Sequence, residues 1–429
     1  MFCIHGLQAT FRQSENCPPA IEMARLLSRK GFFPHGRSLF YSQKIKKGVK
    51  KMSFLWEGLA AVTWQQIVMY VVGAALIWVA IKKQYEPALL LPMGFGAILV
   101  NLPGSNAIDQ VLQGVGETHG IVSWLYDTGI AASEAMPLLL FIGIGAMIDF
   151  GPLLAKPSMF LFGAAAQFGI FAALLLASAL GFSLNDAASI GIIGAADGPT
   201  SLLVSQVLNS QYVGAIAVAA YSYMALVPIV QPFAIKLITT KKERSIRMEY
   251  DNRSVSKRTR ILFPIFTTII VGFIAPSSAS LVGFLMFGNL IRECGVLESL
   301  SQTAQTTLTN LITLLLGITI SFSMQADSFV KPDTLFIMAI GLAAFVFDTF
   351  GGVLLAKVMN LFLKKKINPM IGAAGISAFP MASRVVQKIA QEESPGNIVI
   401  MHAAGANVAG QIASAVAGGL LIQLVTSMS

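Results

Sequence analysis

Asp197 lies in Gly194-Ala-Ala-Asp-Gly-Pro-Thr200, between the apolar runs Ile190-Gly-Ile-Ile and Leu202-Leu-Val. A carboxylate in such a setting costs about 2.5–3.5 kcal/mol on membrane-insertion scales unless it is paired or binds a cation. Gly198 and Pro199 interrupt a helix here, which frees backbone carbonyls for an ion and lets Pro199 begin the next half-helix. The competing structural role is a helix-capping aspartate at a kink. A second interruption reads Asn368-Pro-Met-Ile-Gly372-Ala-Ala-Gly-Ile-Ser377-Ala-Phe-Pro380-Met-Ala-Ser-Arg384. Asn368 and Ser377 offer neutral oxygens, which with Asp197 suit a hard monovalent cation rather than a thiolate-loving metal. Arg384, about two turns beyond Ser377, can hold an anionic substrate through two parallel hydrogen bonds. An arginine at that position can equally snorkel to the membrane interface.

Two further polar residues lie in the long apolar spans that follow the breaks. Tyr223 is in Ala220-Tyr-Ser-Tyr-Met224, and Asn407 is in His402-Ala-Ala-Gly-Ala-Asn-Val-Ala-Gly410. Each is open to two roles, a ligand or a hydrogen-bonding link between helices. His119 and His402 stand singly and read as satisfied or solvated histidines. For Asp149, Asp327 and Asp348, loop and capping roles compete. No Gly-x-x-x-x-Gly-Lys phosphate loop, Gly-x-Ser-x-Gly elbow in a strand-helix context or His/Cys zinc cluster is present, so ATP-driven transport has no support.

The elements that must position these residues are membrane helices. Of 429 residues 55% are hydrophobic and 12% charged, and the mean hydropathy is +0.70. Soluble domains carry about 25% charged residues, so soluble enzymes, nucleic-acid binders, disordered tails and disulfide scaffolds are disfavoured. Three scattered cysteines, Cys3, Cys17 and Cys294, form no framework. The net charge of +9 is a local matter: residues 1–51 hold ten basic residues against Glu15 and Glu22, which leaves one net positive charge for the remainder. That leader has neither the apolar stretch nor the cleavage site of a secretory signal. Lys47-Gly48-Val49 can be encoded by a purine-rich ribosome-binding sequence, so translation is expected to begin at Met52. Lys82 and Lys83 directly after the first span agree, because they favour the cytoplasm and so an outside N-terminus. N-terminal sequencing of the natively expressed protein tests this.

About eleven membrane-embedded segments are expected. Residues 52–240 form a first half broken at 194–200, residues 241–260 a basic cytoplasmic loop, and residues 261–429 a second half broken at 368–384. The landmarks recur in order. Pro137-Leu-Leu-Leu leads through Asp149 and Lys156-Pro157 to Ile193-Gly-Ala-Ala-Asp-Gly198; Thr313-Leu-Leu-Leu leads through Asp327 and Lys331-Pro332 to Ile371-Gly-Ala-Ala-Gly375. The expected fold is therefore an all-α polytopic membrane protein, two inverted repeats whose broken helices meet at mid-membrane.

From about Glu57 onward, Gly194-Ala-Ala-Asp-Gly-Pro-Thr200, Tyr221-Ser-Tyr-Met-Ala-Leu-Val-Pro228 and Asn368-Pro-Met-Ile-Gly372 with Ser377 and Arg384 carry a family likeness. The pattern resembles the membrane β subunit of the sodium-translocating, biotin-dependent decarboxylases, which act on oxaloacetate, methylmalonyl-CoA or glutaconyl-CoA. The resemblance implies a bacterial cytoplasmic-membrane subunit that decarboxylates carboxybiotin, consumes a proton and exports sodium. It makes Asp197 the central sodium-linked carboxylate, with Tyr223, Asn368, Gly372, Ser377, Arg384 and Asn407 around the same site. On that basis Asp197, Asn368, Ser377 and Asn407 are the expected sodium ligands. Arg384, with Asn368 and Gly372, is expected to contact carboxybiotin, and Tyr223 to donate a proton. The chain has no Ala-Met-Lys-Met biotinylation motif, so biotin must come on a partner. The resemblance further implies a carboxyltransferase α subunit, a biotin carrier, a small single-span γ or δ subunit and a homotrimeric β core in the lipid. The rival reading is a sodium-coupled secondary carboxylate transporter with no enzymatic step.

Overall fold

Proline, glycine and capping hydroxyls divide the chain into helices at the places where the apolar runs are interrupted. The computed structural model describes residues 58, 60–84, 87–112, 116–132, 135–248 and 255–428. The leader 1–51 with Cys3 and Cys17, the expected start at Met52, Glu57, and Arg253 of the basic loop lie outside the described residues. Contacts divide the chain after Ala61, and everything below concerns the unit that begins at Val62.

Helix α1 (Trp64–Trp78) starts at a capping box between Thr63 and Gln66 and runs on to Lys83. It packs against α2 (Pro87–Val100). A two-stranded antiparallel ribbon, β1 (Asp109–Leu112) and β2 (Gly116–His119), and a short helix, Ile121–Tyr126, follow. Among the described residues the ribbon is the one departure from an all-helical expectation. Next come α3 (Ala135–Met147), α4 (Phe160–Ala165) and α5 (Phe168–Ala179). A hairpin then forms from α6 (Leu184–Gly191) and α7 (Gly198–Val207), followed by α8 (Val213–Ile238). Beyond the basic segment lie α9 (Lys257–Ile274), α10 (Ala279–Cys294) and α11 (Thr309–Ile320). Pro332 opens α12 (Pro332–Phe362) at its first turn, where a missing N–H costs nothing. A second hairpin of α13 (Met370–Ala373) and α14 (Met381–Glu393) precedes α15 (Ile400–Met428).

Among the described residues, five helical stretches are long and apolar enough to cross a membrane: Trp64–Lys83, Pro157–Ala179, Glu298–Met324, Pro332–Phe362 and Ile400–Met428. Two bent pairs, one at 65° across residues 121–147 and one at 71° across 213–238, raise the number to as many as seven. The chain is thus a polytopic membrane protein. The remaining apolar segments include the two hairpins and the shorter helix α2.

The hairpins open at opposite ends of α12, which is about 46 Å long at 1.5 Å per residue. The mouth of the first is closed by Asn185 Nδ2 to Leu208 O (2.9 Å) and Ser210 Oγ to Asp186 Oδ1 (2.7 Å). Tyr212 beside it donates to Asp333 at the start of α12. At the mouth of the second, Glu393 pairs with Arg244 at 2.8 Å. Next to that pair, Glu243 meets Lys357 near the end of α12 at 3.1 Å. The tips meet in the interior, where Ser377 N–H donates to Ala195 O at 3.2 Å. The core packs around these tips, from Ile192, Ala195 and Ala196 to Ile371, Ile376 and Ala409.

Candidate functional site

At the tip of the first hairpin, residues 192–195 form one 3-10 turn that ends at Ala196 in the left-handed region (φ +52°). A non-glycine residue there costs about 1–2 kcal/mol, and the surrounding packing must hold it. The chain then turns so that Asp197 takes the N-cap position of α7, with Pro199 in the first turn. Asp197 is 5% exposed. Its Oδ2 accepts from the Thr200 hydroxyl at 2.6 Å and the Ser414 hydroxyl at 3.2 Å. Ser414 in turn lies 2.7 Å, hydroxyl to hydroxyl, from Ser377. One carboxylate is therefore joined through two hydroxyls to the tip of the other hairpin.

Asn407, set among small residues of α15, donates from Nδ2 to Ile376 O at 2.7 Å. Its Oδ1 is buried and has no hydrogen-bond partner among the described residues. A buried bare acceptor is costly, and a cation would satisfy it. The donor set here is carboxylate, hydroxyl, amide and main-chain oxygen, which fits a hard cation.

The expected site residues fall into three groups. Asp197, Ser377 and Asn407 come together at the tips. Asn368 does not join them. Its Nδ2 donates to Arg244 O (2.9 Å) and Ile246 O (3.0 Å), and its Oδ1 accepts from Met370 N–H (3.1 Å). The amide is thus committed to fastening the basic loop at the foot of the second hairpin. Gly372 is likewise at a helix contact: a Cβ there would sit 1.9 Å from Gly352 O on α12. Tyr223 points to α12 and gives its hydroxyl hydrogen to Met338 O. The aromatic ring beside the site is that of Tyr221, which lies where a side chain at Gly198 would be.

Arg384 is exposed on the polar face of α14 and lines a groove of about 470 Å³ with Lys83, Gln84, Pro87, Pro228 and Lys388. A larger cavity of about 810 Å³ near the mouth of the second hairpin is lined by Lys156, Arg247, Lys365 and Lys366 together with Asn397. Both are cationic. Thr200 and Ser414 went unidentified in the sequence, although Thr200 closes the first motif. Ser414 follows Asn407 by seven residues, two turns along the same face.

Residues 65–425 match the family described as the Na+-transporting oxaloacetate decarboxylase beta subunit. The chain belongs to that family. It is 42% identical over 425 residues to the oxaloacetate decarboxylase beta chain of Haemophilus ducreyi, covering 86% of this chain and 97% of that protein. It is 47% identical over 368 residues to the glutaconyl-CoA decarboxylase subunit beta of Acidaminococcus fermentans (86% and 95% covered). Identity to the methylmalonyl-CoA decarboxylase subunit beta of Propionigenium modestum is also 47%, over 378 residues (83% and 94% covered). The family resemblance noted in the motifs therefore extends through the spans that carry them.

Proposed function

We propose that this chain is the membrane subunit in which decarboxylation of carboxybiotin drives sodium ions out across the bacterial cytoplasmic membrane. The observation that carries this reading is the buried Asp197 carboxylate, joined through Ser414 to Ser377 beside the bare Asn407 Oδ1, in a member of the decarboxylase β-subunit family. Asp197, Thr200, Ser414, Ser377 and Asn407 are the residues that hold sodium. The two broken hairpins that open at opposite ends of α12 are the inverted halves of a repeat, so the site can be reached from either side in turn. Lys82, Lys83 and the basic segment 241–260 put the mouth of the second hairpin in the cytoplasm.

Biotin arrives on a partner subunit, and a carboxyltransferase α subunit, a single-span γ or δ subunit and a β trimer complete the assembly. Carboxybiotin would supply an N-carboxyl group that leaves as carbon dioxide, with a proton taken up at the ureido nitrogen in its place. The part played by this chain is electrostatic. Arg384, with Lys83 and Lys388, gives an anion a cationic groove at the cytoplasmic end. Arg384 lies seven residues from Ser377 on the same hairpin, so capture in the groove bears on the Ser377 end of the chain of hydroxyls that reaches Asp197. Binding in the groove and ion occupancy at Asp197 then favour different arrangements of one element, which is a population shift. Tyr223 and Asn368 enter as ties, through Met338 and the basic loop, and Gly372 as the close contact that seats α13.

The test is carbon dioxide release from carboxybiotin by the reconstituted protein, with and without sodium, for wild type and Asp197→Asn. Sodium-stimulated release that the substitution abolishes supports the reading. Sodium-driven carboxylate uptake without any release would instead make the chain a transporter.

A further inference from the structure

Asp348, in the middle of α12, is a fully buried carboxylate. The span Pro157–Ala179 is interrupted at Ala166 and Gln167, so the first N–H groups of α5 are short of acceptors on their own helix inside the membrane, Ile170 N–H reaching Gln167 O at 3.2 Å. Asp348 offers them an acceptor from across the contact. Its Oδ1 accepts from Gly169 N–H at 2.5 Å and Ile170 N–H at 3.2 Å. Its Oδ2 makes no hydrogen bond among the described residues. That oxygen faces Gly194, where a Cβ would lie only 2.8 Å from it and 2.8 Å from Ala344 Cβ on the same helix.

Gly194 is three residues before Asp197, in the same broken segment. One side chain of α12 thus meets the start of α5 and the backbone that leads into the site. Ala196, between Gly194 and Asp197, has the left-handed conformation described above, and such a residue persists only where its surroundings over-determine it. Ser377 N–H holds that segment from one side, at Ala195 O. Asp348 bounds it on another.

We infer that Asp348 is a positioning residue for the sodium site: it sets the seat of residues 194–196 and so the direction in which the Asp197 carboxylate points. This inference rests on the reading of Asp197 as the sodium-linked carboxylate. Residues that orient a ligand from behind change ion affinity when lost, and the geometry here depends on two oxygen-sized atoms in fixed places. An asparagine keeps one acceptor for Gly169 and Ile170 and puts an atom of similar size against Gly194. An alanine removes both.

The experiment measures the sodium concentration for half-maximal carbon dioxide release in the reconstituted complex, for wild type, Asp348→Ala, Asp348→Asn, Gly194→Ala and Asp197→Asn. Asp348→Ala is expected to raise it about tenfold or more, with the KM for carboxybiotin at saturating sodium unchanged. Asp348→Asn is expected to stay near wild type, and Gly194→Ala, which pushes the segment away from Oδ2 and the adjoining Ala344, to follow Asp348→Ala. Wild-type sodium dependence in Asp348→Ala, or equal impairment in Asp348→Asn, overturns the inference. If Asp348→Ala does not assemble, Gly194→Ala and Asp348→Asn decide: a wild-type value for Gly194→Ala or a large shift for Asp348→Asn overturns it. If Asp197→Asn itself leaves the sodium dependence untouched, the underlying reading of the site fails; if it abolishes it while Asp348→Ala does not shift it, only the role of Asp348 fails.

Discussion

Ser377 gives its backbone N–H to the carbonyl of Ala195 at 3.2 Å, and this main-chain bond joins two hairpins whose mouths lie at opposite ends of α12. Asp197 stands two residues from one partner of that bond, and its hydroxyl link to Ser414 returns to the side chain of the other. The carboxylate is therefore held on both sides of the meeting point.

Removing either hydroxyl from Asp197 should weaken ion binding without stopping assembly. Thr200→Val and Ser414→Ala are each expected to raise the sodium requirement about tenfold or more, a loss of about 1.5–3 kcal/mol for a hydrogen bond to a charged group. The shorter Thr200 bond, 2.6 Å against 3.2 Å, predicts the larger effect for Thr200→Val. Sodium titration of carbon dioxide release gives the ranking.

Asn368→Ala separates a tie from a ligand. It leaves Arg244 O and Ile246 O without their donor, so the thermal midpoint should fall by the equivalent of about 1–3 kcal/mol. Half-activation by sodium in the surviving protein should match wild type. A large sodium shift at unchanged stability would return Asn368 to the ion site.

Charge reversal at Arg384 or Lys388 should act on the other substrate. Arg384→Glu is expected to raise the KM for free carboxybiotin about tenfold, as losing a charge-assisted pair does, while sodium half-activation holds. Arg384→Lys should recover part of the loss, because charge returns without the planar fork.

Gly352→Ala and Gly372→Ala test packing alone. A new Cβ would lie 2.0 Å from Gly372 O in the first and 1.9 Å from Gly352 O in the second. Overpacking of this kind costs about 1–3 kcal/mol or more, so both should lower the thermal midpoint, and the double variant should not be additive.

Acid should loosen the basic end through Glu243. Burial raises its carboxyl, but the Thr240 N–H and the Lys357 ammonium outweigh that, and its pKa lies below the ordinary value of 4.5. A depressed carboxylate stabilises the fold above the unfolded pKa and loses that contribution as pH falls through the folded one. The thermal midpoint of wild type should therefore drop below about pH 4.5 by more than that of Glu243→Gln, for which this part of the slope vanishes. Parallel curves for the two proteins would discount the pair.

Much of the candidate site was legible because breaks are written in residue types. Gly198-Pro199 and the stretch 368–384 marked both hairpins, and Asp197, Ser377 and Asn407 stood out as polar groups in apolar surroundings. The limits have physical causes. Tyr221 and Tyr223 differ by two residues on one helix, about 200° apart, and only packing decides which ring meets Gly198 and which meets α12. Asn368 looked available because its partners are main-chain carbonyls of a distant loop. Asp348 was open to a capping role, and it does cap, but a helix some 180 residues away in sequence. The β ribbon joins two segments too short and polar to show an apolar rhythm.

The length of α12 carries a consequence outside the protein. At about 46 Å it exceeds a hydrocarbon layer of about 30 Å, so the helix must lean or protrude. Asp333 near one end holds Tyr212 and Lys357 near the other holds Glu243. Bilayer thickness therefore becomes a control variable: a thicker or thinner lipid resets the lean of α12 and, with it, the offset between the two mouths. Turnover of this subunit should depend on acyl-chain length even where no lipid touches the ion site.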